Sequence, residues 1–167
     1  MSTTSALLAA IVTSHSLPES DQIQIIQYLN VTLALLLDLK LQVKQAHWNI
    51  KGPHFLPLHQ LFDTFAAELE AHSDEVAERI TALGGVAQGT VQALMETSTL
   101  TCWPVTLQKQ SVIMAHLIEQ YTTVATLVRN NIQNASELKD DGTADLYTGI
   151  SKALDKNVWF LQAHQAL

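Results

Sequence analysis

"HQLFDTFAAELEAHSDEVAER", His59 to Arg79, decides how the chain folds. It holds no Gly or Pro, so nothing in it interrupts a helix. Advancing ~100° per residue from His59 puts Asp63 at about 40°, Asp74 at about 60° and Glu78 at about 100°. Leu58, Phe62, Phe65, Leu69, Val76 and Ile80 fall at about −60° to −120°, a separate apolar stripe predicted to face a core. The helix therefore has a packing face and, beside it, a stripe of potential metal ligands.

Outward from this stretch the pattern repeats. A first helix is expected from Ser20 or Asp21, either of which could cap it, to about Asn49. "KGPHFLP" (Lys51–Pro57) breaks it, and the second helix runs from about Pro57 to Leu83, ended by Gly84 and Gly85. Residues 86–104 read as loop with a helical turn at "VQALME". Pro104 opens a third helix reaching about Leu138, and a fourth runs from about Thr143 to Ala163. Residues 1–19 read as a Ser/Thr-rich tail and 20–167 as one domain. The fold class is all-α: a four-helix bundle with a long, ferritin-like connection between helices two and three.

Six Gly and four Pro in 167 residues favour such a regular fold. Cys102 stands alone, which rules out a disulfide framework and suits the reducing cytoplasm. "VTLALLL" (Val31–Leu37) is far short of the ~20 apolar residues that span a bilayer, so no membrane is expected.

The ligand stripe poses a problem of length. His59 and Glu78 are separated by ~28 Å of helical rise, against metal–ligand bonds of ~2.0–2.2 Å. One chain cannot close both pairs on one ion. Two antiparallel copies of the helix, related by a twofold axis near residues 68–69, can: His59 and Asp63 of one face Asp74 and Glu78 of the other, twice over. Ala66, Ala67, Ala71 and Ala77 on or beside the stripe let the copies approach; Glu70, near the axis, has no evident role. His47, ending the first helix, reaches the same end of the bundle as His59. Two imidazoles with carboxylates suit Fe(II), Zn, Mn or Cu.

"KQAHWNIKGPHFLPLHQLFDTFAAELEAHSDEVAERITALGG" (Lys44–Gly85) closely resembles the central segment of Dps proteins, the mini-ferritins also called DNA-binding proteins from starved cells. The "HWN…G" element, the second His twelve residues after the first, and the spaced Asp, Asp and Glu carry the likeness. A weaker likeness covers most of residues 21–163, including "DDGTAD" and "LDKNVWFLQ". The resemblance implies a hollow homododecamer with ferroxidase centres at its dimer interfaces. His47, His59 and Asp63 would come from one subunit and Asp74 and Glu78 from its mate, with Glu78 as principal or bridging carboxylate. It further implies oxidation of Fe(II), preferably by hydrogen peroxide over oxygen, and a stored ferric mineral, with zinc as competitor or substitute. Trp48 matches a family Trp that accepts oxidising equivalents. Asp140 and Asp145 match acids lining an iron-entry pore, Asp141 lying nearby, while Gly149 replaces a third.

Twelve copies at −7 each give a formal −84, a field that draws in Fe²⁺. No Lys or Arg precedes Lys40 and none follows Lys156, so basic DNA-binding arms are missing from the sequence and DNA binding at physiological salt is not expected. His164 and, more weakly, His15 are candidate extra ligands. A bacterioferritin-type site inside the bundle needs Glu-x-x-His on two helices; Glu75 and Glu119 are followed at that spacing by Glu78 and Thr122. The alternative left open is a structural or DNA-compacting particle that keeps the fold without the catalysis.

Overall fold

The computed structural model describes residues 17–107 and 109–165. Five helices follow in order: α1 (Glu19–Asn49), α2 (Phe55–Ala82), the short α3 (Val91–Thr97), α4 (Gln110–Glu137) and α5 (Asp141–Gln165). No strand occurs among the described residues. His15 and most of the stretch read as tail lie outside them, and Glu19, read as tail, is already helical.

The six residues of the predicted α2 core stripe, Leu58, Phe62, Phe65, Leu69, Val76 and Ile80, are all buried. They meet the buried faces of α1, α4 and α5 in one continuous core. Each such side chain contributes roughly 1.5–3 kcal/mol on leaving water. By length and hydropathy α1 could cross a membrane. Its buried Ile25, Leu29, Leu33, Leu36, Leu39 and Val43 instead line that core, as in the central helix of a bundle.

Short turns make α1–α2 and α4–α5 antiparallel hairpins. Between α2 and α4 the chain travels the bundle's full length, because α4 starts beside the α1–α2 turn, where Lys51 and Lys109 form a β-bridge. α2 and α4 therefore run in the same direction. Gly84 (φ 81°) ends α2 in the left-handed region. Gly85 then passes so close to α1 that a Cβ would lie 2.8 Å from Ile26 Cγ2.

Helix starts differ from the sequence reading, each for a local reason. Neither Ser20 nor Asp21 caps α1; the carbonyl of Pro18 takes the first N–H groups, and Ser20 Oγ donates to Asp21 instead. α2 begins two residues before Pro57, which still falls in its first turn. Pro104 heads a turn closed by Leu107 N–H at 2.9 Å, and α4 opens only at Gln110. α5 begins at Asp141 because the Asp140 carboxylate caps it, accepting from Thr143 N–H at 3.0 Å.

The crossover is tied down by polar groups. His116 Nε2–H donates to Gln42 Oε1 (2.8 Å), Gln42 Nε2 donates to Asp38 and to the Thr101 carbonyl, and Ser98 Oγ donates to Asp38. Trp103 packs edge-on against the His116 ring. Burial holds His116 below its ordinary pKa of 6.5, outweighing the nearby Glu119 charge. The unfolded chain then takes up a proton that the folded chain resists. Stability is expected to fall as pH drops below 6.5 and to level off below the folded-state value. Urea midpoints at about pH 7.5 and about pH 5.5 check this, because His116→Gln should reduce the difference between them.

Candidate metal centre

His47 sits in the last turn of α1 and His59 in the second turn of α2, so the short α1–α2 turn brings them together. Their rings stack at 3.8 Å between centroids with 20° between planes. Each is locked by the other's backbone: His47 Nδ1 lies 2.7 Å from the His59 carbonyl and His59 Nδ1 lies 2.9 Å from the His47 carbonyl. A carbonyl oxygen only accepts, so each Nδ1 carries the proton. In the neutral rings each Nε2 then keeps its lone pair. Fixing the far nitrogen in this way is how proteins orient metal-binding imidazoles. Phe55 packs against His59 and completes the support.

Asp63, one turn on from His59, completes this end of the stripe. His47 Nε2 and Asp63 Oδ1 stand 4.0 Å apart, close to twice a metal–ligand bond of ~2.1 Å. The three residues share an open pocket with Leu56, Gln60, Thr64 and Ala67. The donor types, two imidazole nitrogens and one carboxylate, suit a borderline cation, although among the described residues one chain does not gather them closely enough to hold it alone.

Lys44 is the member that sequence reading missed. Its Nζ donates to Asp63 Oδ1 at 2.7 Å and lies 5.8 Å above the Trp48 ring. The hydrogen bond and charge of Lys44 hold the Asp63 carboxyl below its usual range, with smaller help from His47 and His59. The signal was in the spacing, since Lys44 precedes His47 by one helical turn and shares its face. A cation entering here must displace an ammonium from Asp63. Lys44→Met is therefore expected to bind Co(II) about tenfold more tightly than the unaltered protein, by titration calorimetry at neutral pH.

Asp74 and Glu78 lie farther along the same face of α2, exposed, and neither makes an ion pair or side-chain hydrogen bond among the described residues. The stripe thus holds two separated groups: His47, His59 and Asp63 at one end, and two free carboxylates at the other. Among the described residues of one chain, no three His, Cys, Asp or Glu gather closely enough to hold a metal.

The remaining candidates sit elsewhere. Trp48 is 66% exposed on the outer face of α1. His164 Nδ1–H donates to the Phe160 carbonyl within its own helix at 2.8 Å, and among the described residues no metal-holding group surrounds it. Asp140, read as a pore acid, is buried: Arg79 Nη2 donates to it at 2.6 Å and Thr143 Oγ1 donates to it at 2.5 Å. Asp141 and Asp145 are exposed at the start of α5. Glu70 is paired with Lys40 of α1.

Comparison with known proteins places the fold in a family. The ferritin-like domain model matches residues 26–167. A DNA protection during starvation protein of Agrobacterium fabrum is 43% identical over 152 residues, covering 91% of this chain and 94% of the relative. Among solved structures, Dps of Mycobacterium smegmatis superposes with a TM-score of 0.88 at 30% identity, covering 93% of each chain. DpsA14 of Streptomyces coelicolor superposes at 0.87 and 34% identity, covering 91% of this chain and 90% of its own.

Proposed function

Because the chain belongs to the Dps family of ferritin-like proteins, we propose that it is a ferroxidase that oxidises and stores iron, using centres completed only between two subunits. The observation that carries this reading is the split ligand stripe. His47 of α1 with His59 and Asp63 of α2 stand at one end, and at the other stand two exposed carboxylates, Asp74 and Glu78, without side-chain partners among the described residues.

In this reading His47, His59 and Asp63 bind Fe(II) through two Nε2 atoms and a carboxylate. Asp74 and Glu78 of the partner subunit supply the remaining oxygens, and Glu78 bridges when a second ion enters. Mixed imidazole and carboxylate donors favour ferrous iron and admit zinc as competitor. Two Fe(II) ions give one electron each to hydrogen peroxide, which takes up two protons and leaves as two waters. Both electrons go in one event, so no hydroxyl radical is released. Trp48, the residue after His47, takes up any stray oxidising equivalent in this reading. Twelve subunits enclose the ferric product, and the acidic charge of the shell concentrates Fe²⁺. Asp145 with Asp141 lines the entry path; Asp140 serves the fold instead.

The names of the relatives refer to DNA protection. In this chain the described α1 carries no basic residue before Lys40, and the net charge of −7 opposes phosphate. We therefore read it as an iron protein of the cytoplasm that does not coat DNA.

The test is stoichiometric. Anaerobic Fe(II) mixed with limiting peroxide should be oxidised with one peroxide consumed for each pair of ions, and without spin-trapped radical. Oxidation no faster than in buffer would instead identify a non-catalytic particle.

A further inference from the structure

Midway along α2, between the two ligand groups, lies an open cleft whose walls are Lys40 and Lys44 of α1 and whose floor is Ala66 and Ala67. Glu70 stands at its edge and is paired with Lys40. Resting on the shared-site reading above, we propose that this cleft receives the Glu70 side chain of the partner subunit, and that Lys40 is the counter-charge that allows the two α2 helices to meet.

The register leaves little choice. The antiparallel pairing that sets His59 against Glu78 and Asp63 against Asp74 also sets Ala67 against Glu70, and Ala66 against Ala71. The floor of the cleft thus lies opposite Glu70, the long acidic side chain near the axis on this face; Glu68 points the other way and accepts from Asn157 of α5. The alanines supply the room: Ala66 is 6% exposed, and the Ala67 methyl reaches little beyond the helix surface. Helices packed through small residues approach to roughly 8 Å, and two Glu70 carboxylates at the twofold would then repel in a partly desolvated contact. Lys40 answers that charge. Its side chain is only 23% exposed, whereas that of Glu70 is 64% exposed. The Lys40 ammonium is already held to α2 by its pairing with Glu70, whose side chain remains largely exposed on the face where the mate would lie. Across the axis the four groups form a neutral quartet, Lys40 and Glu70 with Lys40 and Glu70 of the partner subunit. Lys44 and Asp63 form a second balanced pair at the cleft's other wall.

The experiment is a charge swap followed by sedimentation velocity over a dilution series, with helical content followed by circular dichroism. Lys40→Glu is expected to leave the helices intact and to raise the concentration needed for assembly at least tenfold, since it gathers four carboxylates at the axis. Glu70→Lys should do the same, and the double variant Lys40→Glu with Glu70→Lys should restore assembly. If Lys40→Glu loses its helical signal, Lys40→Gln decides the same point by a smaller shift in the same direction. Assembly of the single variants at unaltered concentration, or a helical but unassembled double variant, would overturn the inference, as would an unaltered protein that sediments as a monomer. The metal reading is judged separately: an assembled, unaltered protein that fails to bind Co(II) refutes that reading while leaving the charge-swap result standing.

Discussion

Two inactive chains, one carrying His59→Ala with Asp63→Ala and the other Asp74→Ala with Glu78→Ala, are expected to recover about a quarter of the unaltered rate of peroxide-driven Fe(II) oxidation when assembled together. Each chain alone should be slowed at least tenfold, because every centre then lacks two of its five ligands. In a mixed dimer the losses fall unevenly. One centre takes His59 and Asp63 from the second chain and Asp74 and Glu78 from the first, and is intact. The other centre loses all four. Random pairing makes about half of the dimers mixed, each with one good centre of two, hence the quarter. Stopped-flow absorbance of the ferric product, with sedimentation to confirm equal assembly, gives the measurement. A mixture no faster than its parents would show that the stripe is not shared.

The second large effect concerns stability. Arg79→Ala is expected to lower the melting temperature by about 10 °C, from a loss of roughly 3–5 kcal/mol. Arg79 donates through Nη2 to Asp140 and through Nε to Thr143, joining the end of α2 to the start of α5. Asp140 is 4% exposed, so removal of the guanidinium strands a buried carboxylate that also caps a helix. Neutralising both partners, Arg79→Met with Asp140→Asn, should recover much of the loss, because no uncompensated charge remains and Asn can still cap. Thermal unfolding by circular dichroism separates these cases. A shift of about 2 °C or less for Arg79→Ala would mean that water reaches Asp140 after all.

The same pair marks where sequence reading stops. The α2 stripe was legible because helical periodicity is a property of the chain itself: a ~100° step sorts Phe62 and Phe65 to the core and Asp63 and Asp74 to the surface with no knowledge of neighbours. The meeting of His47 and His59 followed from a turn too short to carry them apart. Asp140 was misread because its surroundings come from Arg79, 61 positions earlier, and a buried carboxylate looks like an exposed one until that distant cation is in place. Glu70 lacked a role for the same reason, its partner Lys40 lying on another helix. Helix starts failed more locally: Pro104 is compatible with a first helical turn, but the bridge between Lys51 and Lys109 delays α4 to Gln110.

The mutual grip of His47 and His59 also bears on the order of events during synthesis. Only twelve positions separate the two rings, so closing that loop costs little entropy, and their contact needs nothing beyond the first two helices. A nascent chain can hold its nitrogen donors in readiness while the segment that will strap the bundle is still emerging from the ribosome. On the proposed shared-site reading, the donors contributed in trans arrive only on dimerisation. Redox turnover would thereby be timed to assembly, and a lone, unpaired subunit would expose no competent centre to the cell.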